Sequence, residues 1–578
     1  MTRYRLRNFT GCGAGGQGSD SGAGRNGLAA RFCREEDGSF IIFGLFIFVL
    51  MLMIGGLAVD LMRYETHRAR LQATLDRAVL AAASMSQPLP PKQVVIDYFE
   101  KAGLGGLITE GDITVEDHTT YRRVTADVDM VVSSTFLNFL GIEELTAPGY
   151  GAAEESASQT EISLVLDVSG SMGWSSASGN SKIYELRRAA KQFVNILQCD
   201  PSDGTATTGC TVEFGKVSIS LIPYSEQVLA GEALLARMPD NVEVTAEHTS
   251  SSCINWQEAD FGDTGLDLTD PNLILQRTGH FDPWRNANST PGSWTCKTNS
   301  WREIMPFVAA HADLRDRIDQ LGASGNTSID IGMKWGTLLL DPSLRSTLTG
   351  LIADGEVSNV FADRPFRYDE RGISKVVVLM TDGENTRQHY LHPDKREGDS
   401  EVWYNEQEDV YSVYRASTDN YYRTDTGEWL DNAYGLNEGG TTTETVRRCT
   451  GRRWWRRCWY ETVVVNAGAD PGDAVPLSFQ ELWQEHWTWD RYDEFSWLDA
   501  GSNYGTSTKD ERLNDICTAA KDAGITIFTV GFETSDRSNG VMSSCASSPA
   551  HHFDVAGTDL TDAFAAIARE ISKLRLVN

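Results

Sequence analysis

A run of 20 residues without a charged side chain, from Phe40 to Val59, limits what this chain can fold into. Its sequence is FIIFGLFIFVLMLMIGGLAV. A helix rises about 1.5 Å per residue, so a helix of this length spans the roughly 30 Å apolar layer of a bilayer. The run is too long, and begins too far from the N-terminus, for an ordinary cleaved signal peptide. A buried core helix is the alternative, but the pattern favours one transmembrane helix.

The arginines that flank this run do not decide which way it crosses the membrane. They lie on both sides, at Arg25, Arg31 and Arg34 before it and at Arg63, Arg68, Arg70 and Arg77 after it. A difference in positive charge between the two sides is what normally sets orientation. The orientation must therefore be inferred from another feature.

Cysteine usage supplies that feature, because eight of the ten cysteines follow the apolar run. Before it stand Cys12 and Cys33; after it stand Cys199, Cys210, Cys253, Cys296, Cys449, Cys458, Cys517 and Cys545. An even number in the long part is typical of disulfides in an oxidising compartment, with a cytosolic N-terminus. Zinc ligation is the alternative, but no CxxC pair or histidine-containing cluster supports it. The segments CDPSDGTATTGC and CTGRRWWRRC read as short closed loops.

The charge balance excludes one class of partner. With 81 acidic and 51 basic residues the formal net charge is -30. Phosphate binding needs a basic surface, so nucleic acid is not expected as a ligand. The acidic excess suits an exterior exposed to water and divalent cations, although it also serves solubility alone.

Composition and periodicity divide the chain into four parts. Residues 1–37 are rich in Gly, Ser and Arg and are predicted to be a disordered cytosolic tail. Residues 38–85 contain the apolar run and a helix that continues it with an apolar stripe. Residues 86–158 hold short alternating strands and are predicted to form a small α+β stalk. Residues 159–578 form the largest part.

In that largest part, strands alternate with helices, which predicts an α/β domain with a doubly wound, mostly parallel sheet. The strands are EISLVLD, KVSISLIPYS, SKVVVLMTDGEN and GITIFTVGF. Two long stretches, at about 230–305 and 386–505, break the alternation and are predicted to be insertions. The second holds nine of the 15 tryptophans.

Polar side chains follow the first of these strands in EISLVLDVSGSMG, where Asp167, Ser169 and Ser171 share one turn. Alone, this turn is as compatible with a helix cap as with a metal site. Two further oxygen donors stand at comparable places: Thr327 before a predicted helix and Asp382 after another central strand. Ligands gather at the carboxyl ends of strands in such sheets, and hydroxyl and carboxylate oxygens suit Mg²⁺. The five residues together predict a divalent metal site.

This five-residue pattern resembles the metal-ion-dependent adhesion site of the von Willebrand factor A domain, over about 160–575 without the insertions. The resemblance implies that Ser169, Ser171 and Thr327 ligate the metal through hydroxyls. It also implies that Asp167 and Asp382 act directly or through water. The metal would be Mg²⁺, or another divalent cation such as Mn²⁺ or Ca²⁺. An acidic residue of a protein partner would complete its coordination, which is binding without turnover.

The segment at about 38–85 is similar to the TadE/TadG-like anchors of tight-adherence (Flp) pilus assembly. Gly38, the exit sequence GLAVDLMR and the helix LQATLDRAVLAAAS carry the resemblance. Many related anchors have a glutamate early in the apolar run, whereas this run begins SFIIFG. Cleavage by a prepilin peptidase is therefore not implied. An anchor of this type followed by an A domain is the TadG-like arrangement.

Four other features are weaker signals. The pair His551-His552 is expected to be structural, since adjacent residues rarely face one ion. The segment DNYYRTDTGEW at 419–429 only loosely resembles a calcium loop. The tryptophans of the second insertion are expected to form a satellite core, with glycan contact as the alternative. The arginine-rich RRCTGRRWWRRC is expected to be a solvated hairpin tip, with anionic polymer or lipid headgroups as the alternative ligands.

Enzymatic activity is not predicted. In GSMG the serine directly follows the first glycine, which does not match the G-x-S-x-G elbow of hydrolases, and no Walker-type loop is present. The sequence as a whole predicts a single-pass bacterial inner-membrane protein with its large domain periplasmic or extracellular. Its predicted function is metal-dependent protein binding within the Flp pilus assembly system. A surface adhesin for a host or matrix ligand is the alternative. An envelope enzyme that uses the tryptophan-rich insertion as an active-site lid is a less favoured one.

Overall fold

A computed structural model describes residues 37–84, 87–117, 121–156, 159–284, 290–436, 440–450, 456–467 and 469–576. The predicted tail at 1–37 lies outside them except for its last residue. The chain divides into two compact units, of which the first comprises residues up to 82 together with 89–114 and 125–152. The second comprises 83–88, 115–124 and 153–578.

The first unit is built on one long helix. It contains α1 (Asp37–Ala83) except for the last residue of that helix, α2 (Pro91–Lys101), and parts of β1 (Ile113–Asp117), β2 (Tyr121–Ser133) and β3 (Glu144–Ser156). These strands form a sheet in the order β1-β2-β3. In α1 the stretch Phe40–Ala83 is long and apolar enough to cross a membrane, and the side chains of its first half are exposed. Farther along, Leu71, Leu75 and Val79 are buried at helical spacing, as the apolar stripe predicts.

Asp60 connects α1 to the small sheet of this unit. Although it lies one residue after the apolar run, it is only 3% exposed. Its Oδ2 accepts hydrogen bonds from the backbone N–H groups of Phe136 at 2.6 Å and Leu137 at 2.8 Å. The N–H of Thr135 lies 3.1 Å from both carboxylate oxygens. Three successive donors that no strand partner satisfies are thus held by one carboxylate.

The second unit contains many more elements. Its strands are β4 (Gln159–Asp167), β5 (Val217–Tyr224), β6 (Val242–Val244), β7 (Leu273–Leu275), β8 (Met305–Val308), β9 (Ile373–Thr381), β10 (Gln388–Leu391), β11 (Asp399–Asn405), β12 (Val410–Arg415), β13 (Asn420–Arg423), β14 (Trp429–Leu430), β15 (Gly440–Thr450), β16 (Arg457–Ala467), β17 (Ala474–Ser478), β18 (Gly501–Tyr504), β19 (Thr526–Phe532) and β20 (His552–Val555). Its helices are α3 (Lys182–Gln198), α4 (Glu232–Leu235), α5 (His311–Gln320), α6 (Ile329–Leu338), α7 (Arg345–Asp354), α8 (Phe479–Glu481), α9 (Trp489–Asp493), α10 (Thr506–Asp522), α11 (Asp536–Cys545) and α12 (Asp559–Leu576).

A six-stranded sheet with the order β20-β19-β9-β4-β5-β8 forms the centre of the second unit. Neighbouring strands are parallel from β20 to β5, and only the edge strand β8 runs antiparallel, to β5. β4 is central and buried almost throughout, as expected for a strand covered on both faces. The carboxyl ends of β4, β5 and β9 therefore meet at one edge.

Helices cover both faces of this sheet. Val165 points to the face that also buries residues of α6, α7 and α10, whereas Leu164 and Leu166 point to the face covered by α3, α5 and α12. α6 approaches the sheet closely because it carries two glycines. A Cβ at Gly336 would lie 2.7 Å from Val165 Cγ2.

The second predicted insertion contains an antiparallel sheet of its own, with the order β14-β13-β12-β11-β17. It packs on a cluster that includes the buried Trp483, Trp487 and Tyr492. These two tryptophans therefore lie in the satellite core that the sequence favours. The mixed α/β class with an N-terminal apolar helix is confirmed, while the sheets as a set are mixed rather than mostly parallel.

Two consecutive hairpins in this sheet repeat one local design. Asp409 and Asp419 end their four-residue loops with φ of 53° and 50°, a left-handed conformation that aspartate tolerates better than most residues. Each carboxylate accepts a hydrogen bond from the tyrosine five residues earlier, Tyr404 at 3.1 Å and Tyr414 at 3.0 Å. The same tyrosine-to-aspartate bond thus fixes both loops.

The eight cysteines after the apolar run form four disulfides. The pairs are Cys199–Cys210, Cys253–Cys296, Cys449–Cys458 and Cys517–Cys545. Each cysteine pairs with its neighbour in sequence, as the two closed-loop segments indicate. Disulfides rather than zinc ligation are therefore confirmed for these residues.

Candidate metal centre

The loop after β4 turns back on itself around Asp167. The Asp167 side chain is fully buried, and its Oδ1 accepts a hydrogen bond from the Ser169 N–H at 2.7 Å. Its Oδ2 accepts one from the Thr381 hydroxyl at 2.8 Å. The aspartate thus orders its own loop and contacts the last residue of β9.

Ser169, Ser171 and Asp382 form a continuous hydrogen-bonded chain of side chains. The hydroxyl oxygens of Ser169 and Ser171 are 3.1 Å apart. The Ser171 hydroxyl donates to Asp382 Oδ1 at 2.6 Å. Ser169 and Asp382 at the two ends are buried, whereas Ser171 between them is half-buried and the most exposed of the three. Four of the five predicted ligands are therefore in one place.

Thr327 belongs to a loop that backbone hydrogen bonds join to the others. The Gly170 N–H donates to the Gly325 carbonyl at 2.9 Å, and the Thr386 N–H donates to the Thr327 carbonyl at 3.0 Å. Lys509 Nζ donates to the same carbonyl at 2.7 Å from within the protein interior. The predicted fifth residue thus lies on a loop fixed against both neighbouring loops.

Lys182, which the sequence analysis did not select, is part of the cluster. Its ammonium group is 3.2 Å from Asp382 Oδ2, and the residue is only 7% exposed. It is the first residue of α3, so the helix start delivers a cation to the same edge of the sheet. Nothing in the sequence pattern indicates this role beyond a lysine shortly after the serine turn.

Burial and the proximity of other charged groups change the pKa values of Asp167 and Asp382. Burial, and then the negative charge of Asp382, raise the pKa of Asp167 to about 7. Burial also raises the pKa of Asp382, against the opposing effects of the Ser171 hydrogen bond and the Lys182 charge. The carboxyl groups of Asp167 and Asp382 are thus buried together, close to the ammonium group of Lys182.

The residues present fit a divalent cation. Two carboxylates and hydroxyl groups are the hard oxygen donors that Mg²⁺ prefers. Asp382 Oδ2 is buried and accepts no hydrogen bond of acceptable geometry among the described residues, and Lys182 is near it only as an ion pair. A further positive charge would relieve the repulsion between Asp167 and Asp382, which Lys182 balances in part.

Two of the weaker sequence signals have structural roles. His552 Nδ1 is 2.8 Å from the Thr529 hydroxyl and its Nε2 is 2.5 Å from Asn539 Oδ1, as expected for a structural histidine. In the loosely calcium-like segment, Asp425 forms a two-bond ion pair with Arg423 at 2.7 and 2.8 Å.

The arginine-rich segment lies on the hairpin of β15 and β16. Cys449 and Cys458 face each other across it and form its disulfide. Residues 451–455 of the tip lie outside the described residues, so the choice between a solvated tip and an anion-binding tip stays a prediction.

Comparison with known proteins finds a family match for the segment that contains the apolar run. Residues 38–85 match the Tad family model, described as Flp pilus-assembly TadE/G-like. This segment is TadE/G-like. The match covers the apolar run and the helix that continues it, and it confirms the resemblance found from GLAVDLMR and its neighbours. No curated protein matches the chain.

Solved structures of pilus proteins are similar to this chain at low scores. The von Willebrand factor domain of a type V pili tip protein from Porphyromonas gingivalis has a TM-score of 0.29 and 13% identity, covering 72% of this chain and 97% of its own. The adhesive tip pilin of Group B Streptococcus agalactiae has 0.28 and 12%, covering 72% and 100%. The pilus adhesin SpaC from Lactobacillus rhamnosus GG has 0.25 and 13%, covering 79% of this chain and 33% of its own.

Proposed function

We propose that this chain is a non-enzymatic, metal-dependent protein-binding component of a bacterial Flp pilus assembly system, anchored in the inner membrane by α1. One observation carries the proposal. Asp167, Ser169, Ser171 and Asp382 converge at the carboxyl edge of a helix-covered sheet, in a chain whose residues 38–85 are TadE/G-like. The N-terminus would be cytoplasmic and the second unit periplasmic or extracellular.

The fold proposed for the second unit is a doubly wound A domain of the von Willebrand factor type, with insertions at about 230–305 and 386–505. The parallel strands from β20 to β5 and the helices on both faces support it. The edge strand β8 is antiparallel to β5, and the first predicted insertion lies between these two strands in the sequence.

The proposed metal is Mg²⁺ or another divalent cation, held by Ser169, Ser171 and Thr327 with Asp167 and Asp382. When bound, it would supply a Lewis-acidic position for a carboxylate of the partner. Asp167 holds the turn in shape through its bonds to Ser169 and Thr381. Ser171 lies at the surface end of the chain of hydroxyls, where a partner has access.

The test compares the full chain with a variant carrying Asp167→Asn and Ser169→Ala. We expect the variant to lose Mg²⁺ binding in calorimetry and Mg²⁺-dependent crosslinking of an envelope partner in membranes. Ser163→Ala is the matched control. This substitution removes a buried hydroxyl of β4 that has no hydrogen-bond partner in the described part of the chain, and the variant should bind Mg²⁺ as the parent does. Partner capture that survives both the double variant and EDTA would refute the proposal.

A further inference from the structure

A second surface of the molecule, in the antiparallel sheet of the insertion, has the features of a ligand site. A groove of 740 Å³ runs between β12, β13 and the segment after α9. Tyr411, Tyr422 and Trp497 contribute its aromatic lining. Asp409, Arg491 and Glu494 contribute its polar lining. The groove lies on none of the residues of the candidate metal centre.

The aromatic lining is held in place by its own hydrogen bonds. The Tyr411 hydroxyl is 3.0 Å from His486 Nδ1, and the Tyr404 ring stacks on Tyr411 at 4.6 Å. Trp497 Nε1 donates to the Tyr414 carbonyl at 3.2 Å. A preformed aromatic wall lowers the ordering cost of binding.

The guanidinium of Arg491 lies beside this aromatic lining and carries N–H groups that can donate hydrogen bonds to a ligand. Its guanidinium lies 4.7 Å from the Tyr411 ring centroid and 4.8 Å from that of Trp487. Among the described residues, none accepts a hydrogen bond from it or forms an ion pair with it. Because it is half-buried, these donors are positioned by stacking and left available for a ligand.

The acceptors of the groove are carboxylates with little internal use. One carboxylate oxygen of Asp409 accepts a hydrogen bond from the Tyr404 hydroxyl, and the other accepts none among the described residues. The exposed side chain of Glu494 likewise has no hydrogen-bond partner among them. Asp425 is neutralised by Arg423. Two free carboxylates against one guanidinium leave the groove slightly negative.

We propose that this groove binds a neutral oligosaccharide. Sugar hydroxyls both donate and accept, so they can use the carboxylates of Asp409 and Glu494 together with the guanidinium of Arg491. The aromatic lining suits the apolar faces of sugar rings. An anionic sugar would meet the excess of carboxylates. This inference does not depend on the proposed metal-dependent function.

The experiment uses the full chain in nanodiscs made of neutral lipid, without sugar-headed detergent. Saturation-transfer difference NMR is measured with cellotriose, maltotriose, mannotriose and the trimer of N-acetylglucosamine, and with trigalacturonate as the anionic probe. We expect at least one neutral trisaccharide to bind with a Kd on the order of 1 mM, and trigalacturonate to bind at least about tenfold more weakly.

Two variants locate the binding. Arg491→Met keeps the packing of the stem, and Glu494→Gln changes an exposed side chain that the fold does not need. Each should weaken binding at least about tenfold, since a hydrogen bond to a charged group is lost. Arg367→Met, at an exposed ion pair elsewhere, is the matched control and should change nothing.

The outcomes separate this proposal from the previous one. Binding should persist in EDTA and in Asp167→Asn, because the metal centre is not involved. The glycan proposal is overturned if no neutral trisaccharide binds, if trigalacturonate binds more tightly, or if both groove variants bind like the parent. None of these results would bear on capture of a protein partner at the metal centre.

Discussion

Lys182 sets the charge balance of the candidate metal centre. Its ammonium group is 3.2 Å from Asp382 Oδ2, while the Ser171 hydroxyl occupies Oδ1 at 2.6 Å. Of the two carboxylate oxygens of Asp382, Oδ1 thus accepts a hydrogen bond from Ser171 and Oδ2 forms an ion pair with Lys182. A metal ion must share Asp382 with an internal cation that is nearly buried, so Lys182 should weaken metal binding.

Replacing Lys182 by Met should therefore tighten Mg²⁺ binding. The two charges lie close together in the interior, where screening is weak, so we expect the Kd for Mg²⁺ to fall about tenfold or more. Isothermal titration calorimetry on the full chain measures it. Lys191→Met is the control, because Lys191 lies on the same helix but pairs with Asp319 at a half-exposed site. An unchanged or weaker affinity of Lys182→Met would show that Lys182 does not compete with the metal.

The predicted ligands illustrate what the sequence can reveal at this scale. Asp167, Ser169 and Ser171 share one turn, and Asp382 ends a strand adjacent to β4, so strand order alone brings them together. Lys182 and Lys509 escaped prediction because a lysine near a helix start is normally a solvated side chain. Only tertiary packing buries Lys509, whose Nζ donates to Thr327 and Ser328.

Among the elements, the long and strongly periodic ones were predictable. The alternation of strands with helices predicts a helix after EISLVLD and another before GITIFTVGF, and α3 and α10 lie at these places. The short edge strands β8 and β20, of four residues each, were not predicted. Edge strands of this length carry too few alternating residues for a periodic signal, and their pairing depends on the sheet already present.

The antiparallel sheet of the second insertion was also missed. Its signal is the spacing of tyrosine and aspartate, because Tyr404 precedes Asp409 by the same five residues that separate Tyr414 from Asp419. The tryptophan content does not predict this sheet, because Trp483 and Trp487 belong to the core beneath it. A repeat of about ten residues with aspartate at the loop end predicts a meander of hairpins.

Asp60 should determine the local stability of the small sheet's connection to α1. Asp60→Ala leaves the N–H groups of Thr135, Phe136 and Leu137 without their acceptor, so this segment should open to exchange more readily. We expect amide hydrogen exchange over residues 134–142 to accelerate at least about tenfold in Asp60→Ala.

The matched variant for this test is Asp76→Ala. Asp76 is an exposed aspartate on the same helix and accepts only a hydrogen bond from Gln72, within its own helix. It should leave exchange over 134–142 unchanged. Equal acceleration in both variants would mean that loss of helix charge, rather than loss of the backbone contacts, causes the effect.

For the whole molecule, the cysteines report on sidedness. The eight later cysteines form four disulfides, while Cys12 and Cys33 precede the apolar run. If the run crosses the membrane with its N-terminus in a reducing compartment, only these two thiols react with a maleimide polymer before reduction. We expect two adducts before reduction and ten after it, read as gel shifts of the denatured chain.

Protease treatment of intact cells then separates the two destinations of the second unit. An inner-membrane assembly component should be protected until the outer envelope is opened, whereas an adhesin should be cleaved at once.

In the maleimide experiment, the absence of any adduct before reduction would place Cys12 and Cys33 in an oxidising compartment and contradict the proposed orientation.

The near-direct continuation of β3 into β4 has a mechanical consequence. Only residues 157 and 158 separate Ser156, the end of β3, from Gln159, the start of β4, and β4 ends at Asp167. Tension between the anchor and a partner held at Asp167 would therefore enter one end of β4 and leave at the other. The ladders to β5 and β9 would be loaded in shear along their whole length, so their hydrogen bonds would resist together rather than open one after another.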